Sequence, residues 1–260
     1  MRVKPVWSKL RLVDADGRID LVQRGMTLLI VLLACASTKY LSAQSDSEIE
    51  FQIRTDLYAD DTKEPSASSK IIFTDGMYFE LDEDQGLYTV MDPRKGRITL
   101  LNKNKKALVH LDMHVIEQRL SEAMQISAPV QQASFNVSQE PGGYFSLGNG
   151  TMKYTFLPMQ AEPEIASKYG DFANWSQRIQ ALYISKMPPQ MRLQLNKLMI
   201  DQSQLPSEVR RTIHYKQGTD VKIARMNLTQ LVSNEDRSKV ASIIQWMQQF
   251  KPTSENDFFK

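Results

Sequence analysis

His110 and His114 stand four residues apart in His110-Leu111-Asp112-Met113-His114, a spacing that puts two imidazoles on one helix face and suits a metal ion. The same residues also read against a metal. His110 ends a strand pattern, His114 opens a helical one, and no Glu lies between them as a hydrolytic zinc motif requires. His214 lies in a strand pattern near Arg210, Arg211 and Lys216. A Ser/His/Asp triad is a spatial arrangement that sequence alone does not exclude, but no Gly-x-Ser-x-Gly elbow supports one. The acids Asp82, Glu83 and Asp84, like Asp60, Asp61 and Glu64, fall in polar segments and read more simply as solvated turn residues than as paired catalytic carboxylates. No catalytic, cofactor-binding or metal-ligating residue is assigned, and no cofactor is expected.

Two other features carry chemistry of a different kind. Arg94, Lys95, Arg97, Lys103, Lys105 and Lys106 place six cations on two consecutive turns. Such a group suits the anionic headgroups of a membrane surface, at about 1 kcal/mol per cation; charged hairpin rims also serve simply to block edge pairing. Cys35 is the only cysteine, so no intrachain disulfide forms and the fold depends on its core. Leu32-Leu33-Ala34-Cys35 resembles a bacterial lipobox, whose thiol accepts a diacylglyceryl group. In an apolar run, Cys is equally an ordinary hydrophobe.

That run, Met26 to Ser37, holds twelve residues without a charge, with Arg24 before it and Lys39 after it. It is shorter than the roughly 20 residues of a spanning helix, and Ala34-Cys35-Ala36 and Leu41-Ser42-Ala43 offer small-residue cleavage sites. This is the profile of an export signal. The 25 residues before it, with Asp14, Asp16 and Asp20, make a long leader and leave an uncleaved membrane anchor as the alternative. The expected organisation is a charged leader over 1–25, a signal or anchor segment over 26–43, and one domain over 44–260, exported to the periplasm or cell envelope.

Composition narrows the partners. The chain has 260 residues, 42% of them hydrophobic, which is too apolar for a disordered polymer and enough for a real core. Lys and Arg number 32 against 30 Asp and Glu. That balance argues against the clustered cationic face that binding to nucleic acid needs.

Ile49, Phe51, Ile53, Thr55 and Leu57 alternate with Glu50, Gln52, Arg54 and Asp56, the period of a half-buried strand. Thr74-Asp75-Gly76 between two apolar runs predicts a tight hairpin. Further runs over 87–91, 97–101 and 106–111 complete a six-stranded antiparallel meander. The period then changes, and Val115, Ile116, Leu120, Ala123 and Met124 share a helical stripe. Strand patterns return over 134–138, 144–147 and 151–157. Helical stretches follow over 163–185 and 188–199, then a hairpin over 205–228 around Lys216-Gln217-Gly218. Ser233-Asn234-Glu235-Asp236 caps a terminal helix that buries Val240, Ile243, Ile244, Met247 and Phe250. The fold class is α+β: a curled antiparallel sheet, or half-open barrel, with helices packed on its concave side, preceded by the N-terminal signal or anchor segment.

The run Ile72-Phe73-Thr74-Asp75-Gly76, then Met91-Asp92-Pro93-Arg94, and Leu205-Pro206 opening a hairpin, resembles the LolA and LolB lipoprotein-carrier superfamily over most of residues 48–232. The resemblance implies a half-open barrel with a helical lid that holds acyl chains in its cavity. It transfers no individual residue: Arg54 alternates with the apolar set of its strand and is expected to face solvent. The expectation is a non-enzymatic envelope protein binding a lipid or acylated protein in an apolar cavity, with a membrane surface as a further contact. The alternative is a membrane-anchored structural or regulatory interaction protein without bound lipid.

Overall fold

The computed structural model describes residues 49–59, 62–126, 135, 137–184 and 189–259. Cys35, the whole leader and signal or anchor segment, and Asp60 and Asp61 lie outside the described residues. Alternation of apolar and polar residues produces β1 (Phe51–Ala59), β2 (Ala67–Thr74), β3 (Met77–Asp82), β4 (Leu87–Asp92), β5 (Arg97–Asn102) and β6 (Ala107–Asp112). Asp75 and Gly76 take φ of 52° and 69° in the β2–β3 turn, the positive angles a two-residue hairpin needs. Then come β7 (Val137–Gln139), β8 (Phe145–Gly148), β9 (Met152–Gln160), β10 (Gln204–Tyr215), β11 (Gly218–Thr229) and β12 (Lys251–Pro252). They join in one sheet of order β12-β6-β5-β4-β3-β2-β1-β11-β10-β9-β8-β7. Every pairing is antiparallel except that of β12 with β6. The sheet curls without closing, as the α+β expectation required.

Strands β2 to β6 are apolar on both faces, and the register sorts the two sets. Ile71, Phe73, Tyr78, Met91, Ile98, Leu100, Val109 and Leu111 belong to one core. Ile72, Phe79, Leu81, Tyr88, Val90, Leu101 and Leu108 belong to another. A strand's side chains alternate, so the two cores lie on opposite sides of the sheet.

The concave side is covered by α1 (Met113–Ile126) and α2 (Pro163–Ile179). Proline at the first position starts α2, where its missing N–H costs nothing. Its buried stripe Ile165, Ala166, Tyr169, Phe172, Ala173 and Ile179 follows helical spacing. A π-helical turn, Gln180–Ile184, ends it. The next helix, α3 (Gln190–Asp201), packs on α2, and buried Asn196 donates to Asn174 Oδ1 at 3.0 Å. Gly170 makes that approach possible: a Cβ there would stand 2.2 Å from Ile200 Cδ1.

The other side is covered by α4 (Asn234–Gln249), through Val240, Ile243 and Trp246. Its cap forms as the sequence predicts, with Ser233 Oγ accepting from the Asp236 N–H at 3.1 Å. Asp236 also holds Lys70 Nζ of β2 at 2.7 Å and so ties the helix start to the sheet. Beyond it, β12 and α5 (Glu255–Phe258) carry the chain back to the concave side, a return that no sequence periodicity announces.

Gly170→Val is expected to lower stability by about 1–3 kcal/mol, because the branched side chain overpacks the α2–α3 contact. Gly150→Ala, where nothing lies within 4 Å of the added Cβ, should change it by no more than about 0.5 kcal/mol. Urea midpoints of the two variants check the difference.

Candidate functional site

Between the sheet and α2 the side chains leave two adjoining cavities. The first, of 330 Å³, is bounded by Leu87 and Met91 of β4, Leu100 of β5, Phe172 and Ile179 of α2, and Phe258. Phe259 also lines it, stacked on Tyr183 with ring centroids 4.6 Å apart. The tail is fixed there by Glu255, which accepts from Arg119 of α1 at 2.5 Å and from the Tyr183 hydroxyl at 3.1 Å. The last two phenylalanines are therefore a wall of the site.

The second cavity, of 400 Å³, lies over β1, β11 and β10. It shares Glu80, Phe172, Ser176 and Gln180 with the first. Its lining is mixed: Ile71, Val209 and Met226 beside Tyr154, Tyr169, Arg192, Arg211 and Lys222. The cations come from three elements. Arg211 and Lys222 are direct partners across β10 and β11, and Tyr154 of β9 is the next partner of Arg211. Arg192 comes from α3 and stands beside the Tyr169 hydroxyl. That hydroxyl donates to Met226 Sδ at 3.2 Å.

The charges around this second cavity do not balance. Arg211 Nη2 holds Asp220 at 3.1 Å, whereas Arg192 and Lys222 have no carboxylate partner among the described residues. Like charges directly opposite on neighbouring strands destabilise a sheet. Arg211 Nε is buried without a hydrogen-bond partner, which ordinarily costs about 1–3 kcal/mol.

Among the described residues, Glu80 is the single carboxylate lining either cavity. It lies on the apolar concave side between Ile71 of β2 and Thr89 of β4. Burial pushes its carboxyl up, a hydrogen bond with Thr89 opposes the rise, and the charge of Asp82 adds to it. Burial thus favours the neutral carboxyl over the charged one.

The residues singled out in the sequence lie elsewhere. Arg94, Lys95 and Arg97 sit at one end of β5, and Lys103, Lys105 and Lys106 at the other, about 17 Å away at the rise of a strand. The structure therefore does not bring the six into one patch. Arg94 folds against Gly76, Lys95 Nζ pairs with Asp92 at 3.1 Å, and Lys103 Nζ lies 5.1 Å from the Trp246 ring centre. Glu83 pairs with Lys239 at 2.7 Å. His110 contacts Thr99 Oγ1 at 2.9 Å through Nδ1, and burial lowers its pKa. The His114 N–H donates to Asp112 at the start of α1. His214 contacts Thr219 on the exposed β10–β11 hairpin. Arg54 is exposed and pairs with Asp56 at 3.0 Å, facing solvent as its alternation implied. Among the described residues no three His, Cys, Asp or Glu side chains gather closely enough to hold a metal ion, and no helix is long and apolar enough to cross a membrane.

No family model matches the chain, and no curated protein is similar to it.

Glu80→Gln separates the carboxyl's charge from its shape. Below the ordinary carboxylate range, about pH 4, native and unfolded chains both hold the proton, so wild type and variant should differ little from each other in pH response. As pH rises from the ordinary carboxylate value up through the raised native one, wild type loses stability that the variant keeps. Urea unfolding across pH should show the variant gaining on wild type as pH rises above the ordinary carboxylate range; parallel curves would refute the shifted carboxyl.

Proposed function

We propose that the chain is an exported, non-enzymatic envelope protein that binds a lipid, or an acylated protein through its lipid, in the cavity between the sheet and α2. The observation that carries this reading is the pair of adjoining cavities, 330 and 400 Å³, one with an apolar wall of Leu87, Met91, Leu100, Phe172 and Phe258. Cavities of roughly 300–1,000 Å³ with apolar walls and a few placed polar groups are the usual form of small-ligand sites. An apolar chain in the first cavity would cover the half-buried rings of Phe258 and Phe259. The export-signal pattern over 26–43 and the resemblance to lipoprotein carriers support the same reading. The cationic turns at the ends of β5 supply surfaces for anionic headgroups where ligand would be taken up or released.

Native mass spectrometry of protein purified from a lipid-containing host, followed by organic extraction, is expected to find one acyl lipid per chain. Ser176→Phe places a ring where the two cavities meet. It should abolish that lipid while leaving the far-ultraviolet circular dichroism unchanged. A wild-type protein that stays empty after incubation with acyl lipids would overturn the reading and favour an interaction protein held at the membrane.

A further inference from the structure

We infer that the second cavity is a head-group site, and that the bound lipid carries an anionic head, a carboxylate or a phosphate ester, held by Arg192, Arg211 and Lys222. This rests on the lipid-binding reading and specifies its ligand. Three observations converge on it. Cations from α3, β10 and β11 line one cavity, with Asp220 the one carboxylate paired to any of them among the described residues. Arg211 and Lys222 face each other directly across two strands, an arrangement that an anion between them stabilises. The Arg211 Nε is a buried donor with no acceptor, and an anionic oxygen is the acceptor that a guanidinium binds best. The hydroxyls of Tyr154 and Tyr169 stand on the same wall as further donors. Glu80, at the boundary with the first cavity, makes no ion pair with any of these cations among the described residues.

The arrangement also fixes the lipid's orientation. The apolar cavity, closed by Phe258 and Phe259, has no cation in its wall among the described residues and takes the chain. The head lies on the far side of Phe172, over β10 and β11. A ligand with an uncharged head would leave the cations as they are and gain only the apolar contact.

The test uses the full chain and displacement of an uncharged fluorescent probe, phenylnaphthylamine, by dodecanoate, dodecyl phosphate and dodecanol at neutral pH. The two anionic ligands are expected to displace it about tenfold more strongly than the alcohol. Lys222→Gln and Arg192→Gln should each remove most of that preference without changing displacement by dodecanol. Arg211→Gln should do the same; because Arg211 also holds Asp220, the other two variants keep the test independent of its folding. Arg210→Gln, on the opposite side of β10, should retain the preference. Equal displacement by all three ligands would overturn the anionic head site and leave the apolar cavity standing. Inorganic phosphate competing as well as dodecyl phosphate would overturn it as a lipid site, because the chain would then contribute nothing. A probe that never binds, with no ligand taken up, would overturn both this inference and the lipid-binding reading.

Discussion

Strands β2 to β6 carry large apolar side chains on both faces, so water must be excluded from the sheet twice. Phe73 and Met91 point to one side while Ile72, Phe79 and Leu101 point to the other, and each of the five is buried. One cover comes from α1 and α2 on the concave side, the other from α4 on the reverse. Much of the remaining architecture follows from this requirement. The chain must cross from one side to the other after β11, which places α4, and it must return afterwards for Phe258 and Phe259 to reach the concave side. The Lys70–Asp236 pair fixes the crossing, since it joins β2 to the first turn of α4.

The cavities arise where that cover is incomplete. Over β2 to β5, α2 contributes Phe172 and Ile179, but its path leaves room that neither they nor the tail phenylalanines fill. Over β1, β10 and β11 the sheet presents Thr55, Lys222, Ala224 and Arg211 toward the helices. Small and charged side chains cannot fill an interior to crystal-like density. An ion pair accounts for one guanidinium nitrogen there, and among the described residues no carboxylate pairs with Arg192 or Lys222. The asymmetry between the two compartments, one apolar and one cationic, is what gives the site a direction.

The strands, most of the helices and the curl were legible because they depend on periodicity, which any stretch of sequence displays by itself. The Asp75-Gly76 turn and the Ser233 cap were equally local, and both stand where the sequence put them. The cationic compartment was not legible. Arg192, Arg211 and Lys222 are ordinary polar residues of three amphipathic segments, and only the pairing of β10 with β11 and the packing of α3 on α2 bring them to one cavity. Glu80 carried no signal of its own, because strands apolar on both faces give the alternation no outside. Conversely, the six cations near β5 were adjacent in sequence but are parted in space, since consecutive turns of a meander fall at opposite ends. The closing segment, Lys251–Phe258, was silent because two paired residues and a single helical turn are too short to show a period.

The position of β1 has a consequence for how the chain acquires its structure. β1 pairs on one side with β2, close in sequence, and on the other with β11, where Gln52 meets Thr229. The meander from β1 to β6 is assembled from neighbours and can form early, whereas the β1–β11 ladder must wait until nearly all of the chain is available. Until then β1 is an open edge of unpaired amides and carbonyls, the kind of edge that invites pairing with another molecule. Its own outward charges, Arg54 and Asp56, are placed to discourage that during the interval. The late ladder is also the step that brings Lys222 and Arg211 up to the meander, so the cationic compartment is completed by a long-range closure of the sheet.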